Sequence, residues 1–158
     1  MKKAASSAKI DGPVLALDLG TKLVGAAVSD SLLITIKRLP TIKRSNWKQL
    51  LQNVRDLIKR FDAKTLVIGL PLALDGSRGS AAEEVERIAK NFVLSLHLPV
   101  YLQDERLTSA EATETLRKAG HSDGEIRELV DGEAAALILR DFLQSPDTAQ
   151  NAWALIPE

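Results

Sequence analysis

The sequence predicts one three-layer α/β domain on a mixed sheet, with early antiparallel hairpins, a parallel core and helices on both faces. Three observations carry this. Apolar runs without alternation, Val-Leu-Ala-Leu-Asp at 14–18 and Thr-Leu-Val-Ile-Gly-Leu at 65–70, have the character of strands buried on both faces. Strands alternate with helices in the second half, which implies right-handed crossovers and parallel pairing. Finally, 158 residues, 45% of them hydrophobic, are enough for one domain that buries about two-thirds of its unfolded surface.

Taken in order, residues 14–18 form the first strand, and it ends in a carboxylate. Segments 23–30 and 32–39 are further strands, close enough in sequence for antiparallel hairpins. Between residues 45 and 61, Trp47, Leu50, Leu51, Val54, Leu57, Ile58 and Phe61 recur at helical spacing with Lys and Arg between them, an amphipathic helix with a basic outer face. The strand at 65–70 is ended by Pro71 and followed by the turn-rich Asp75-Gly76-Ser77-Arg78-Gly79. Ser80 with Glu83 reads as a capping box opening a helix through Leu96. A strand at 99–103 leads into Asp104-Glu105-Arg106. Thr108 with Glu111 reads as a second box, Gly120 as a helix stop, and Ser122 with Glu125 as the start of a last helix to about Leu143. Residues 1–12 read as a disordered tail, 13–144 as the domain and 145–158 as a C-terminal tail.

Composition excludes several chemistries. Without cysteine there is no thiol nucleophile, thiolate-bound zinc or iron–sulfur cluster, and the count fits a reducing compartment. The two histidines, His97 and His121, sit at a helix end and in a turn. The sequence has no phosphate-binding loop of the Gly-x-x-x-x-Gly-Lys type, no nucleophile elbow and no His-Glu-x-x-His helix. No stretch approaches the roughly 20 apolar residues of a membrane span, so a soluble, cytoplasmic protein is expected. Equal counts of 21 basic and 21 acidic residues give no bulk attraction to polyanions, so any such site is local.

The acids remain. Asp18 ends a buried run and precedes Gly20-Thr21, where backbone can approach a ligand closely; it either binds there or caps the turn. Asp104 and Glu105 end another strand, at the edge where open α/β sheets bind ligands. Adjacent strand residues point to opposite faces, so at most one of them joins Asp18; the other role open to them is to cap the next helix and pair with Arg106. Asp131 shares a side of the last helix with Ala134, Ala135 and Ile138, or else is an exposed acid in a helix rich in them. Asp18, Asp131 and one of Asp104 or Glu105 would make a carboxylate cluster that binds hard divalent cations, Mg²⁺ or Mn²⁺. Two such ions hydrolyse phosphodiesters without His or Cys.

Four segments, Leu17-Asp18-Leu19-Gly20-Thr21-Lys22, Val67-Ile68-Gly69-Leu70-Pro71-Leu72 with Asp75-Gly76, Asp104-Glu105-Arg106-Leu107-Thr108-Ser109, and Val130-Asp131 with Ala134-Ala135, closely resemble the YqgF (RuvX) family. That family is described as candidate Holliday junction resolvases and, more recently, as pre-16S ribosomal RNA nucleases. The resemblance implies a ribonuclease H-like fold and metal-dependent phosphodiester cleavage in the bacterial cytoplasm, maturing the 5′ end of small-subunit ribosomal RNA. It carries catalytic roles to Asp18, Asp104 or Glu105, and Asp131. One departure is Gly132, where relatives often carry a small hydroxyl residue; glycine lowers helix propensity there by up to about 1 kcal/mol.

A nucleic-acid partner, precursor RNA or branched DNA, would meet local basic residues: Lys22, Lys37, Arg38, Lys43, Arg44, Arg78 and Arg106, with Lys48, Arg55, Lys59 and Arg60 on the following helix. Aromatics form only 4% of the chain, so backbone contacts rather than base stacking would dominate. A junction enzyme would need a homodimer, whereas an RNA-trimming enzyme can act as a monomer. Two other classes share the features above. Sugar kinases and actin-like ATPases begin with a turn like Asp18-Leu19-Gly20-Thr21 but need two such domains, and a non-catalytic RNA- or protein-binding member would bind without Mg²⁺ or Mn²⁺.

Overall fold

The computed structural model describes residues 9–105 and 108–157, without the side chains of residues 108–110, 127, 128 and 131. The chain runs β1 (Val14–Leu19), β2 (Leu23–Ser29), β3 (Ile36–Lys43), α1 (Trp47–Phe61), β4 (Thr65–Leu70), α2 (Ser80–Ser95), β5 (Val100–Asp104), α3 (Thr108–Lys118), α4 (Asp123–Gln144) and β6 (Gln150–Asn151). The strands form one six-stranded sheet in the order β3-β2-β1-β4-β5-β6. Pairing is antiparallel from β3 to β1, parallel from β1 through β4 to β5, and antiparallel again at β6. The mixed sheet with early hairpins and a parallel core is therefore present.

Strand parity sorts the core into two layers. Leu15, Leu17, Leu66, Ile68, Val100 and Leu102 face α1 and α2, where Val54, Ile88, Ala89 and Phe92 cover them. Val14, Ala16, Ala27 and Val67 face α4, which answers with Ala135, Ala136, Ile138, Leu139 and Phe142. Small residues on both sides let α4 lie close on the sheet, and α3 packs behind it through Ala112, Ala134 and Leu137. This close seat matters to the chemistry, because the α4 face of β1 also carries Asp18.

Local signals account for most boundaries. Asn46 caps α1 by accepting from the Gln49 N–H, and α4 opens on the complete Ser122/Glu125 capping box. Gly120 takes φ +94° at the stop after α3, a conformation that costs glycine least. Two expectations are corrected. β3 begins at Ile36, four residues later than the sequence suggests, because Asp30 Oδ1 accepts from the Ile34 and Thr35 N–H groups and Leu33 takes a left-handed backbone. Those bonds turn the apolar run 32–34 into a loop, with Leu32 and Ile34 exposed. The Ser80/Glu83 box is likewise absent: Gly79 is the cap of α2, without a side-chain bond, and the Glu83 N–H donates to its carbonyl. The expected Thr108 cap falls on a side chain outside the described residues.

The C-terminal segment docks on the domain. β6 pairs with β5, and Ala152, Leu155 and Ile156 join the α2 side of the core. At the other end Ile10 packs on the α4 layer and the Asp11 carbonyl accepts from the Thr65 hydroxyl at 2.8 Å; the rest of the expected N-terminal tail, residues 1–8, lies outside the described residues. No helix among the described residues is long and apolar enough to cross a membrane.

Candidate active site

The site begins with the β1–β2 turn. The Gly20 N–H donates to the Leu23 carbonyl at 3.0 Å, and a Cβ at Gly20 would lie 2.6 Å from that same oxygen. Only glycine allows the chain to turn so tightly after Asp18. Arg44 locks the turn from β3: its N–H donates to the Lys22 carbonyl at 2.9 Å, its Nη1 donates to the Gly20 carbonyl at 2.8 Å, and its Nη2 pairs with Glu84 of α2 at 3.2 Å. The acid at the end of β1 thus stands beside a fixed backbone loop.

Asp18 shares strand parity with Val14 and Ala16, so it belongs to the α4 face. On the next strand, Gly69 has that same parity as Val67. A Cβ at Gly69 would lie 2.6 Å from Glu105 Oε2 and 2.5 Å from Ile138 Cδ1. The missing side chain is therefore the space in which the Glu105 carboxyl group rests. From there Glu105 is hydrogen-bonded to Asp18, and its own N–H donates to the Leu70 carbonyl at 3.1 Å. Asp104, one residue earlier, has the opposite parity and ends β5 beside Leu70. Of the two neighbouring acids, Glu105 is the one brought to Asp18.

Burial pushes the Glu105 carboxyl up to about 9, helped next by the charge of Asp18, by their shared hydrogen bond and by the charge of Asp104. Two carboxylates cannot both ionise at contact distance in a half-dry site. The pair therefore favours a shared proton over full ionisation. A divalent cation held by the two acids would compete with that proton.

Asp131 lies on α4, but its side chain is outside the described residues, as is the whole of Arg106. The residues after Asp131 pack against β3. Gly132 sits against the Leu39 carbonyl of β3, and Glu133, only 4% exposed, takes a two-pronged ion pair from Arg38 through Nε at 2.6 Å and Nη2 at 2.8 Å. No group of three possible metal ligands forms among the described residues, so the pair Asp18 and Glu105 is the part of the donor set in view. Its chemistry fits a hard divalent ion, since both donors are carboxylate oxygens and the pair holds a proton that a cation can displace.

The basic residues divide. Arg38, Arg44 and Arg78 each place the guanidinium on a carboxylate of the fold, Glu133, Glu84 and Glu86. Lys37 lies over the Phe61 ring with its Nζ 5.5 Å from the centroid. Among the described residues, Lys22 and Lys43 enter no ion pair; near the Asp18 turn, Lys43 stands opposite Leu23 in the β2–β3 register and the Lys22 carbonyl accepts from the Arg44 N–H. A cavity of about 650 Å³ opens between β3, α3 and α4, lined by Arg38, Leu116, His121 and Glu133 among others but by neither Asp18 nor Glu105. The acid pair sits instead at the carboxyl ends of the parallel strands β1 and β5.

Sequence reasoning named both of the acids that the fold brings together but missed Gly69 as the seat of one of them. Its signal is a glycine inside an otherwise β-branched and aliphatic strand, which marks a close approach. It also counted Arg38, Arg44 and Arg78 for nucleic acid without their carboxylate partners, which lie at least eight residues away in sequence.

Relatives and solved structures resemble this chain. A protein from Syntrophus aciditrophicus, provisionally named pre-16S rRNA nuclease, is 38% identical over 132 residues, covering 84% of this chain and 88% of that protein. One from Koribacter versatilis with the same name is 40% identical over 135 residues, covering 85% and 88%. Among solved structures, Thermus thermophilus RuvC in complex with a Holliday junction substrate superimposes with a TM-score of 0.55 at 16% identity, covering 87% of this chain and 98% of that one. The Fowlpox virus resolvase bound to Holliday junction DNA gives 0.55 at 15% identity, covering 85% and 99%. These likenesses make the fold ribonuclease H-like. The family model described as RuvX, Holliday junction resolvase, matches residues 12–145, and this chain belongs to that family of phosphodiester-cleaving enzymes.

Proposed function

We propose that this enzyme is a divalent-metal-dependent nuclease that trims the 5′ end of pre-16S ribosomal RNA in the cytoplasm, acting as a monomer with Mg²⁺ or Mn²⁺. The observation that carries the reading is the contact between the Asp18 and Glu105 carboxyl groups at the carboxyl edge of the parallel strands. Asp18 and Glu105 would hold the metal, with Asp131 of α4 as the further ligand. The metal supplies an activated water and stabilises the leaving oxygen of the phosphodiester. Glu105 gives up its proton as the site loads, Lys22 and Lys43 bind the phosphates flanking the scissile bond, and Arg44 keeps the Asp18 turn in place.

The names of the relatives at 38–40% identity favour the RNA substrate. A second reading, resolution of branched DNA by a homodimer, is favoured by the family description and by the RuvC-like fold. Both use the same phosphodiester chemistry, so one experiment separates them. A labelled precursor RNA with the small-subunit 5′ leader and a four-way DNA junction are offered to the wild type and Asp18→Asn, with Mg²⁺, Mn²⁺ or chelator. Metal-dependent RNA cutting lost in the variant is the expected result. Symmetric junction cutting would move the enzyme to recombination, and binding without cutting would make it a non-catalytic RNA-binding member.

A further inference from the structure

Among the described residues one buried side-chain oxygen has no hydrogen-bond partner, Oε1 of Gln103. Gln103 is only 7% exposed and lies on β5, two residues before Glu105. An unpaired carbonyl oxygen so deeply buried carries its full desolvation cost, and folded proteins seldom leave one in that state. An aliphatic side chain would carry no such cost here, since Tyr101 and Val67 on the sheet and Ile138 on α4 make this layer apolar.

The register shows what stands beside it. Leu17, Ile68 and Leu102 form one row across β1, β4 and β5, and the next residue of each strand is Asp18, Gly69 and Gln103. By strand parity all three belong to the α4 face. Gly69 and Gln103 are direct partners, so their side-chain positions are one strand spacing, about 4.8 Å, apart. The position that Gly69 leaves free is filled by the Glu105 carboxyl group, with Oε2 2.6 Å from where a Cβ would be. That carboxyl group thus lies between Asp18, its hydrogen-bond partner, and Gln103. Asp18 and Glu105 are rich in acceptors, and a further acceptor beside them gains nothing from either. A hard divalent cation resolves the conflict, because it takes carboxylate and amide carbonyl oxygens together.

We propose that Gln103 Oε1 is a further oxygen donor to the divalent cation held by Asp18 and Glu105. The proposal rests on the metal-dependent reading above and deepens it. A neutral oxygen adds coordination without adding charge, which suits a site whose two acids already repel one another.

The test measures cation binding by the full chain without nucleic acid. Free Mn²⁺ is followed by electron paramagnetic resonance during titration of the wild type, Asp18→Asn, Gln103→Leu and Gln103→Glu, and each protein is melted in chelator and in Mn²⁺. Gln103→Leu should bind Mn²⁺ roughly ten-fold more weakly, yet melt in chelator no lower than the wild type, because the orphaned oxygen has gone. Gln103→Glu keeps an oxygen at that place and should restore the binding. Wild-type affinity in Gln103→Leu would overturn the donor role, while loss of binding in Asp18→Asn keeps the metal-dependent reading standing. A loss that Gln103→Glu fails to restore would make Gln103 a packing residue and overturn the donor role as well. A wild type that binds no Mn²⁺ would overturn both readings.

Discussion

Gly69 and Glu105 occupy one place: the carboxyl oxygen Oε2 of Glu105 lies 2.6 Å from where a Cβ of Gly69 would be. A methyl group there cannot coexist with the acid in its present position, and Ile138 closes the other side. Gly69→Ala should therefore cut metal-dependent cleavage at least ten-fold by moving Glu105 away from Asp18. The fold should survive with a loss of about 1–3 kcal/mol, the usual cost of overpacking. Cleavage rates beside a denaturant titration check this, and unchanged activity would mean that Glu105 is free to leave its seat.

Asp18→Asn removes a donor and a charge at once. Activity should fall by orders of magnitude, because the metal loses a ligand, while circular dichroism and the melting temperature change little. The same substitution should also ease the upward push on Glu105, since the charge of Asp18 is its second cause after burial. Carbon-13 NMR titration of the Glu105 carboxyl group would show the midpoint moving toward the ordinary value of 4.5.

The raised Glu105 value has a definite sign for stability. The folded protein holds the proton up to about pH 9, while the unfolded chain releases it near 4.5. Between those limits the folded state binds more protons, so metal-free stability falls as pH rises through the window. Glu105→Gln cannot ionise and should show a flatter profile. A divalent cation binds the ionised form, so its stabilisation of the wild type should grow with pH over the same range. Melting curves with chelator and with Mg²⁺, from pH 5 to 9, test both slopes against the variant.

Arg38 and Lys43 lie on one strand but should answer differently to salt. Lys43→Ala, or Lys22→Ala, should weaken nucleic-acid binding and reduce the salt slope by about one counterion. Arg38→Ala should leave the slope unchanged, because its guanidinium is already held by Glu133. Its cost is in stability instead, roughly 1–2 kcal/mol, below the ~3–5 kcal/mol of a fully buried pair because Arg38 is more than half exposed. Binding isotherms at several salt concentrations, with denaturation of each variant, separate the two roles.

What the sequence made legible follows from how local each signal is. The buried runs of β1 and β4, the helical spacing of α1 and the Ser122/Glu125 cap are written in a few adjacent residues, and all appear where expected. The start of β3 was not legible, because Leu32, Leu33 and Ile34 look like strand until Asp30 claims their backbone. The choice between Asp104 and Glu105 required knowing that Asp18 faces α4, which is a property of the sheet and not of either acid. The partners of Arg38 and Arg44 are 95 and 40 residues away, beyond any local pattern.

β3 also ends the sheet, and among the described residues no strand lies outside it. An unpaired strand of eight residues is a template on which a second chain can crystallise into a longer sheet, the first step of aggregation. This one is poorly suited to that. Pro40 cannot donate from its nitrogen, the register slips beside it, and Lys37, Arg38 and Lys43 set like charges against any copy of the same strand. Replacing Lys43 to weaken nucleic-acid binding therefore also strips the edge of part of its guard, so such a variant should lose solubility at high concentration even where the monomer folds as before.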